Sequence, residues 1–153
     1  MDKGQDHPML RLLKIYTKDL SFENPNAPQV FLKQDQKYKV DFNLELENRQ
    51  IDEDHWEISI LIYTEVVDAD DEDLTLFIIE LEHAGVFLVK NIPEEHMERV
   101  MAVDAPTMLF PFTRQLVSQT SVDGGFLPFL LEPINFMGFY EGARSKDKKE
   151  TIQ

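Results

Sequence analysis

Residues 39–47 read Lys-Val-Asp-Phe-Asn-Leu-Glu-Leu-Glu, so that polar and apolar side chains alternate at every step. A period of two is typical of a β-strand with one face in the core and the other in water. The alternation returns in residues 55–67 and 74–83, and short polar stretches connect the three segments. We therefore predict an antiparallel meander of three strands. The predicted buried row of the first strand consists of Val40, Phe42, Leu44 and Leu46.

A fourth strand is expected before the meander. Residues 10–16 are apolar enough to form it. Pro25 and Pro28 then predict an irregular, extended passage, because proline fixes its own backbone angle and restricts the residue before it. The expected sheet is therefore four-stranded and antiparallel, with the meander joined by a crossing N-terminal strand.

After Pro93 the spacing of apolar residues becomes helical. We expect a helix from Glu94 that kinks or restarts at Ala105 and Pro106 and ends at the Asp-Gly-Gly sequence of residues 123–125. Asn135 is expected to cap a short last helix. Because the helices follow the strands, we predict an α+β fold with two C-terminal helices packed on one face of the sheet. The predicted apolar face of the long helix consists of Leu109, Phe112 and Leu116.

The length of 153 residues, at 17.9 kDa, fits a single domain over residues 1–153, and we expect residues 1–8 and 141–153 to be flexible tails. The chain carries 29 acidic and 15 basic residues, which gives a net charge of −14. Such a surface repels phosphate backbones and anionic membranes, so we expect no nucleic-acid binding and favour a basic partner. The hydrophobic content of 42% is enough to build a core.

The chain has no cysteine, which excludes disulfides, thiolate nucleophiles and cysteine metal sites. Residues 1–8 contain no apolar run, so we expect no secretory signal. No stretch approaches the roughly 18 apolar residues of a membrane helix. We therefore expect a cytoplasmic protein that does not insert into membranes.

No group of residues forms a recognisable catalytic or metal-binding motif. The histidines at positions 7, 55, 83 and 96 have no second histidine at the spacing of a helical metal pair. His55 follows three acidic residues, but a solvated turn explains that run better than a reactive cluster. An EF-hand loop starting at Asp68 would lack its required Gly and Glu, and Gly124 with Gly125 alone is no phosphate loop. We expect no enzyme activity, cofactor or metal; a hydrolase using His55 is a distant alternative.

Two features have both a structural and a functional explanation. The first is the density of apolar and aromatic side chains in a region that is expected to be partly loop: Phe110, Phe112, Phe126, Leu127, Phe129, Leu130, Leu131, Phe136, Phe139 and Tyr140. An ordinary core explains it as well as an open groove or a subunit interface does. A closed pocket for a small ligand in residues 126–131 is the alternative function. The second is Ile78 with Glu80 on the outward side of a predicted strand, which is either a solvated face or a docking patch.

Residues 15–28, Ile-Tyr-Thr-Lys-Asp-Leu-Ser-Phe-Glu-Asn-Pro-Asn-Ala-Pro, closely resemble the N-terminal signature of the SecB protein-export chaperones, and Phe31 continues it. A match of this length and mixed composition is far more specific than a short motif. The likeness spans nearly the whole chain in the family's order. It returns at Phe-Ile-Ile-Glu (77–80), Gly-Val-Phe (85–87), Leu-Phe-Pro-Phe-Thr-Arg (109–114), Gly-Phe-Leu-Pro (125–128) and Pro-Ile-Asn-Phe (133–136).

The resemblance implies the SecB-like fold and a homotetramer, a dimer of dimers, in the bacterial cytosol. It further implies an ATP-independent chaperone that holds unfolded precursor polypeptides in an export-competent state. The chaperone would pass these precursors to SecA, the translocation ATPase.

The resemblance also implies two sets of site residues. The positions that SecB proteins present to SecA match Asp19, Glu23, Ile78 and Glu80. The partner element is a small, basic, zinc-carrying tail, so opposite charges would steer docking. The client-groove positions correspond to Phe77, Phe126, Leu127, Phe129 and Leu130.

Two segments depart from the family pattern. SecB proteins often carry a Trp in the crossing segment, whereas residues 33–39 are polar apart from Tyr38, and the only Trp of this chain is Trp56. The basic residues near the C-terminus have no clear match. They are Lys146, Lys148 and Lys149.

Overall fold

A computed structural model of the chain describes residues 7–143. Its four strands are β1 (Met9–Glu23), β2 (Tyr38–Gln50), β3 (His55–Asp68) and β4 (Thr75–Lys90). They form one antiparallel sheet in the spatial order β1-β4-β3-β2. The predicted meander and the N-terminal strand that crosses to its far edge are therefore confirmed.

Two strands are longer than the sequence pattern predicts. β1 continues past Tyr16 to Glu23, and β4 continues past His83 to Lys90. Ala84 and Gly85 interrupt the apolar alternation of β4, which is why the prediction ends there. Gly85 in fact permits the pairing, because a Cβ at this position would lie 2.8 Å from Leu12 Cδ1 on β1.

The helical region contains α1 (Glu94–Arg99), a π-helical turn (Val100–Asp104) and α2 (Ala105–Asp123). The predicted restart at Ala105 and the predicted end at residue 123 are both confirmed. A last helix, α3, covers residues 136–143. The Asn135 side-chain oxygen accepts the Gly138 N–H at 3.1 Å, which confirms the predicted cap. The α+β fold with helices following the sheet is thus the observed one.

Both predicted tails include ordered residues. Residues 141–143 belong to α3, so the C-terminal tail was predicted to start too early. At the other end the Asn91 side chain donates a hydrogen bond to the His7 carbonyl at 3.1 Å. The remainder of both tails lies outside the described residues, including Lys146, Lys148 and Lys149.

Pro25 and Pro28 predict an extended passage from β1 to β2. The passage is instead compact. It forms turns and a 3-10 helix at Gln29–Leu32, with Val30 buried. The Asn24 side-chain amide also donates to a backbone carbonyl just beyond the end of α2, at 3.0 Å. Burial of Val30 and this long-range bond hold the passage against the end of α2.

α2 packs mainly on β1, β3 and β4, and the face it covers is here called the inner face. Phe112 is 46% exposed, so the predicted apolar face of α2 is wrong, and Leu116 is only half-buried. The error has a physical reason, because two buried positions carry polar side chains with partners in the fold. The buried row of α2 is Leu109, Thr113, Val117 and Ser121.

The predicted buried row of β2 is also largely uncovered. Val40 and Phe42 are 43% and 38% exposed, and Leu44 and Leu46 are only half-buried. The reason is that β2 is an edge strand beyond the main contacts of α2. The alternation correctly identified the strand and its two faces, but it could not indicate whether anything covers them.

Candidate functional site

An apolar groove runs along the inner face, between the sheet and residues 126–134. It consists of two cavities of about 360 and 470 Å³, and both are lined by Tyr38 and Phe129. The sheet side of the groove is formed by Tyr38, Val40, Phe42, Val66 and Phe77. The opposite side is formed by Phe126, Leu127, Phe129, Leu130, Leu131 and Ile134.

The five predicted groove residues come together in this feature. Phe77, only 3% exposed, forms its floor. Leu127 and Leu130 lie at its edge and are 87% and 59% exposed. Side chains this exposed do not seal a cavity, so residues 126–131 do not form the predicted alternative, a closed pocket. The five are Phe77, Phe126, Leu127, Phe129 and Leu130.

Aromatic rings pack against one another at the Phe77 end of the groove. Phe77 lies 4.8 Å from Phe126 and 5.8 Å from Phe129, measured between ring centroids. Phe126 in turn lies 5.1 Å from Phe31, and Phe77 lies 5.7 Å from Phe22 of β1. Such contacts add about 0.5–1.5 kcal/mol each to the burial of the rings. The cluster therefore connects the passage between β1 and β2 with β1 itself, with β4 and with the segment after α2.

The backbone after α2 is held in place by polar side chains. The fully buried Ser121 hydroxyl accepts the Phe129 N–H at 2.8 Å and lies 3.3 Å from the Leu127 carbonyl. Arg114 donates from Nε to the Leu131 carbonyl at 2.7 Å. Because this segment has no regular secondary structure, its backbone N–H and C=O groups lack the usual backbone partners. The side chains of Ser121 and Arg114 supply hydrogen bonds in their place. They fix the backbone while apolar side chains remain in water.

A buried carboxylate secures the rim of the groove at the end of β3. The Asp68 side chain is fully buried and accepts hydrogen bonds from Lys33 Nζ and Gln36. It also accepts the backbone N–H groups of Asp70 and Asp71 at 2.8 and 3.0 Å, which confirms a turn at this acidic run. Chiefly the Lys33 ammonium holds the pKa of Asp68 well below its ordinary value, against the effect of burial.

The opposite, outer face of the sheet carries the predicted docking residues, here called the outer patch: Asp19, Glu23, Ile78 and Glu80. Register places Glu23 opposite Ile78 and Ser21 opposite Glu80. Asp19 and Glu80 line one shallow depression of about 250 Å³, together with Glu45, Glu82 and Tyr63. The structure therefore brings Asp19 and Glu80 into one depression and places Glu23 and Ile78 further along the same two strands.

A second buried carboxylate lies on the outer face. Glu57, whose side chain is 8% exposed, accepts hydrogen bonds from the Tyr16 hydroxyl at 2.6 Å and from Lys18 Nζ at 3.1 Å. Arg49 approaches it at 3.5 Å. The Tyr16 hydrogen bond first, and then Lys18, lower the pKa of Glu57 although burial opposes them. Burial and the Glu57 carboxylate raise the pKa of Tyr16.

Neither buried carboxylate was singled out from the sequence. Glu57 occurs in an ordinary alternating strand, and Asp68 begins a run of acidic residues. Their partners are distant in the chain: Tyr16 is 41 positions from Glu57, and Lys33 is 35 positions from Asp68. Local pattern carries no signal for such pairs.

The candidate reactive residues have structural partners. The Asp52 carboxylate accepts the backbone N–H of His55 at 2.9 Å and lies 2.7 Å from His55 Nδ1, as in a capped turn. His83 is buried on the inner face, 2.7 Å from the Thr113 hydroxyl, and burial lowers its pKa. Within residues 7–143, no three His, Cys, Asp or Glu side chains are grouped to hold a metal ion. No helix in that range is long and apolar enough to cross a membrane.

The family described as Preprotein translocase subunit SecB matches residues 3–147 of the chain. A protein-export protein SecB of Desulfotalea psychrophila is 57% identical over 98% of this chain and 96% of its own. One from Magnetococcus marinus is 40% identical over 91% of this chain and 87% of its own, and one from Bartonella bacilliformis is 33% identical over 98% and 92%.

The fold is also similar to a solved structure. This is a SecB-like chaperone of Mycobacterium tuberculosis in complex with a ChAD peptide from the HigA1 antitoxin. The TM-score is 0.66 at 17% identity, with 82% of this chain and 90% of that chain covered. At this identity the likeness concerns the fold alone.

Proposed function

Since the chain belongs to the SecB family of protein-export chaperones, we propose that it holds unfolded precursor proteins without ATP and delivers them to the translocation ATPase SecA. The groove on the inner face receives the client, and the outer patch receives SecA. No catalytic residue takes part, because holding and transfer require only binding.

The observation that carries the client site is the open apolar groove. Leu127 and Leu130 remain 87% and 59% exposed although their backbone is fixed by Ser121 and Arg114. Burying one large apolar side chain contributes about 1.5–3 kcal/mol, and part of this is offset by ordering the client. Each contact is therefore weak and tolerant of sequence, as a chaperone for many precursors requires. The peptide bound to the SecB-like chaperone of M. tuberculosis supports a polypeptide as the occupant.

The outer patch has the chemistry for a basic partner. Asp19 and Glu80 are exposed and line one depression, and the chain as a whole carries a net charge of −14. Such a field steers a cationic element during encounter and orients it after contact. The basic tail of SecA fits this chemistry.

Exposed apolar surface supports the homotetramer. α2 leaves Met108, Phe112 and Val122 uncovered at 38%, 46% and 41% exposure. The long edge strand β1 leaves Leu13 and Leu20 exposed at 46% and 41%. Exposed large apolar side chains on a helix favour contact with another subunit, and an uncovered edge strand invites pairing with another chain. A dimer of dimers would cover both features and multiply the groove, so that weak client contacts combine into avidity.

The glycine pair after α2 has a packing role beside the groove. A Cβ at Gly124 would lie 2.2 Å from Phe22, and one at Gly125 would lie 2.8 Å from Phe31. Gly125 has a φ of +98°, a conformation that side chains other than hydrogen disfavour. The pair accommodates aromatic rings of the groove region, which explains its presence without a phosphate ligand.

One experiment tests the proposal as a whole. The purified chain is mixed with a chemically unfolded, slow-folding precursor, and aggregation is followed by light scattering with and without ATP. We expect suppression that is independent of ATP, from a particle with a native mass near four times 17.9 kDa. Surface-based binding assays with SecA should show salt-sensitive association. A monomer that fails to suppress aggregation would overturn the proposal, and the absence of SecA binding would remove its delivery step.

A further inference from the structure

The outer face has two neighbouring depressions: the charged residues that line one are all acidic, whereas the other is lined by Lys18 and Arg49 together with Glu47 and Glu57. The acidic depression is the one described above, of about 250 Å³. Its neighbour, of about 460 Å³, is lined by Lys18, Arg49 and Glu57 among others. Among the described residues, no Lys or Arg lines the acidic depression. The four carboxylates that line it are Asp19, Glu45, Glu80 and Glu82.

Glu57 holds both cations of the second depression. Its carboxylate lies 3.1 Å from Lys18 Nζ and 3.5 Å from the Arg49 guanidinium. The side chain is 8% exposed, and a carboxylate so deeply buried requires charged or hydrogen-bonding partners. The Tyr16 hydroxyl supplies one further bond at 2.6 Å. Glu57 is thus the group that ties this cluster together.

Lys18 stands at the boundary between the two depressions. Its ammonium bridges Glu57 and Glu82, the latter at 3.4 Å, and Glu82 lines the acidic side. Asp19 is the next residue in the chain and pairs in register with Glu82. A lysine stem is long and flexible, so an ammonium released by Glu57 has the acidic depression as its nearest alternative.

We propose, resting on the function proposed above, that Glu57 is a positioning residue for docking. It retains Lys18 and Arg49 on its own side of the outer face. Within residues 7–143, Lys18 is the one cation that reaches a carboxylate of the acidic depression, and it pairs there with Glu82 only. Asp19 and Glu80 consequently stay unpaired with the protein's own cations and accept a cationic side chain of the partner.

The test measures the affinity of a cationic probe, a fluorescein-labelled decalysine peptide, by fluorescence anisotropy at low salt. The variants are Glu57→Gln, Lys18→Met and the two combined, with Asp19→Asn/Glu80→Gln to locate the probe. We expect Glu57→Gln to weaken binding about threefold to tenfold, because the freed Lys18 then competes for the carboxylates. Lys18→Met should change Kd less than about twofold, and the combined variant should bind at least as tightly as the unchanged chain.

The rescue separates positioning from a merely structural role, since a damaged fold is not repaired by removing Lys18. A combined variant as weak as Glu57→Gln, or Glu57→Gln binding like the unchanged chain, would overturn the inference. So would failure of the unchanged chain to bind decalysine, or binding that survives Asp19→Asn/Glu80→Gln.

Thermal unfolding checks each variant. If Glu57→Gln is unfolded at the assay temperature, Lys18→Met decides alone. Unchanged affinity supports the inference, whereas weaker binding, or binding tightened more than about fivefold, contradicts it. The same variants assayed with SecA distinguish the two proposals: decalysine binding without SecA binding removes the delivery step and leaves the role of Glu57 intact.

Discussion

The two faces of β4 differ as much as any two regions of the molecule. On the inner face Phe77 forms the floor of an apolar groove, while one residue further along Ile78 belongs to an acidic patch on the outer face. Alternation of side chains along a strand makes this possible without any additional element. A single strand thus separates a surface suited to apolar, sequence-tolerant contacts from one suited to charged, orientation-dependent contacts.

Each region also contains one buried carboxylate with a different task. Asp68 attaches the passage between β1 and β2 to the rim of the groove through Lys33 and Gln36. Glu57 holds Lys18 and Arg49 beside the acidic depression. These pairings set the positions of Lys18, Lys33 and Arg49 on the two faces.

The largest expected effect is the loss of client holding when the groove alone is altered. Phe129→Asp places a charge between the two cavities, and we expect client holding to weaken at least about tenfold, as for loss of a central apolar contact. SecA affinity should stay within about twofold, because the outer face is unchanged. Light scattering with an unfolded client and SecA binding measured on the same preparation check this. Phe129→Leu is the matched control and should retain most holding; equal loss in both variants would show that the charge is not the cause.

Charge reversal on the other face should give the opposite result. Glu80→Lys combined with Asp19→Arg is expected to weaken SecA docking about tenfold to a hundredfold at low salt, and the effect should shrink as salt screens the charges. Client holding should survive. Glu95→Lys combined with Glu98→Lys, two reversals at exposed positions of α1, changes the net charge by the same amount and is the control. A parallel loss of client holding would contradict the assignment of the two faces.

A smaller effect tests how the groove is preorganised. Ser121→Ala removes the acceptor of the Phe129 N–H, and loss of one buried hydrogen bond costs about 1–3 kcal/mol. We expect a lower Tm and a client affinity reduced a few-fold, with SecA docking unchanged. Ser118→Ala is the control, since Ser118 contributes its backbone carbonyl to this cluster. If both serine variants behave alike, the hydroxyl of Ser121 does not hold the segment.

The smallest expected effect is the pH dependence of stability that comes from His83, which lies on the inner face against α2. Burial lowers the pKa of His83 below its ordinary value of 6.5, so the folded state disfavours the protonated ring. His83 therefore contributes stability that is complete above pH 6.5 and is lost as the pH falls through that value toward the lower folded pKa. Between about pH 7 and pH 5, the Tm of His83→Gln should therefore fall less than the Tm of the unchanged chain, because glutamine does not titrate. Equal losses in a calorimetric pH series would contradict this linkage.

The strands and their two faces were predictable, because side-chain alternation follows directly from strand geometry. In β4 Ile78 and Glu80 lie on the outward side, as the sequence predicts. Phe77, Ile79 and Leu81 alternate with them and are buried. The cover over a face was not predictable. Val40 and Phe42 of β2 alternate like core residues, yet they line an open groove because α2 packs elsewhere.

Buried polar residues account for most of the remainder. Thr113 and Ser121 belong to the buried row of α2. A prediction based on apolar spacing omits them because they are polar, and it selects the exposed Phe112 instead. Glu57 and Asp68 resemble surface acids until their distant partners are known. The five groove positions came from family resemblance, and the structure adds Tyr38, Val40 and Phe42 on the sheet side.

Site-specific photo-crosslinking tests the central claim, that client and SecA occupy opposite faces, most directly. A photoreactive phenylalanine analogue is introduced at Leu127 in one sample and at Ile78 in another, and each is irradiated with unfolded client and SecA present together. We predict that position 127 crosslinks to the client and position 78 to SecA. Crosslinking of both positions to the same protein, or the reverse pairing, would contradict the account.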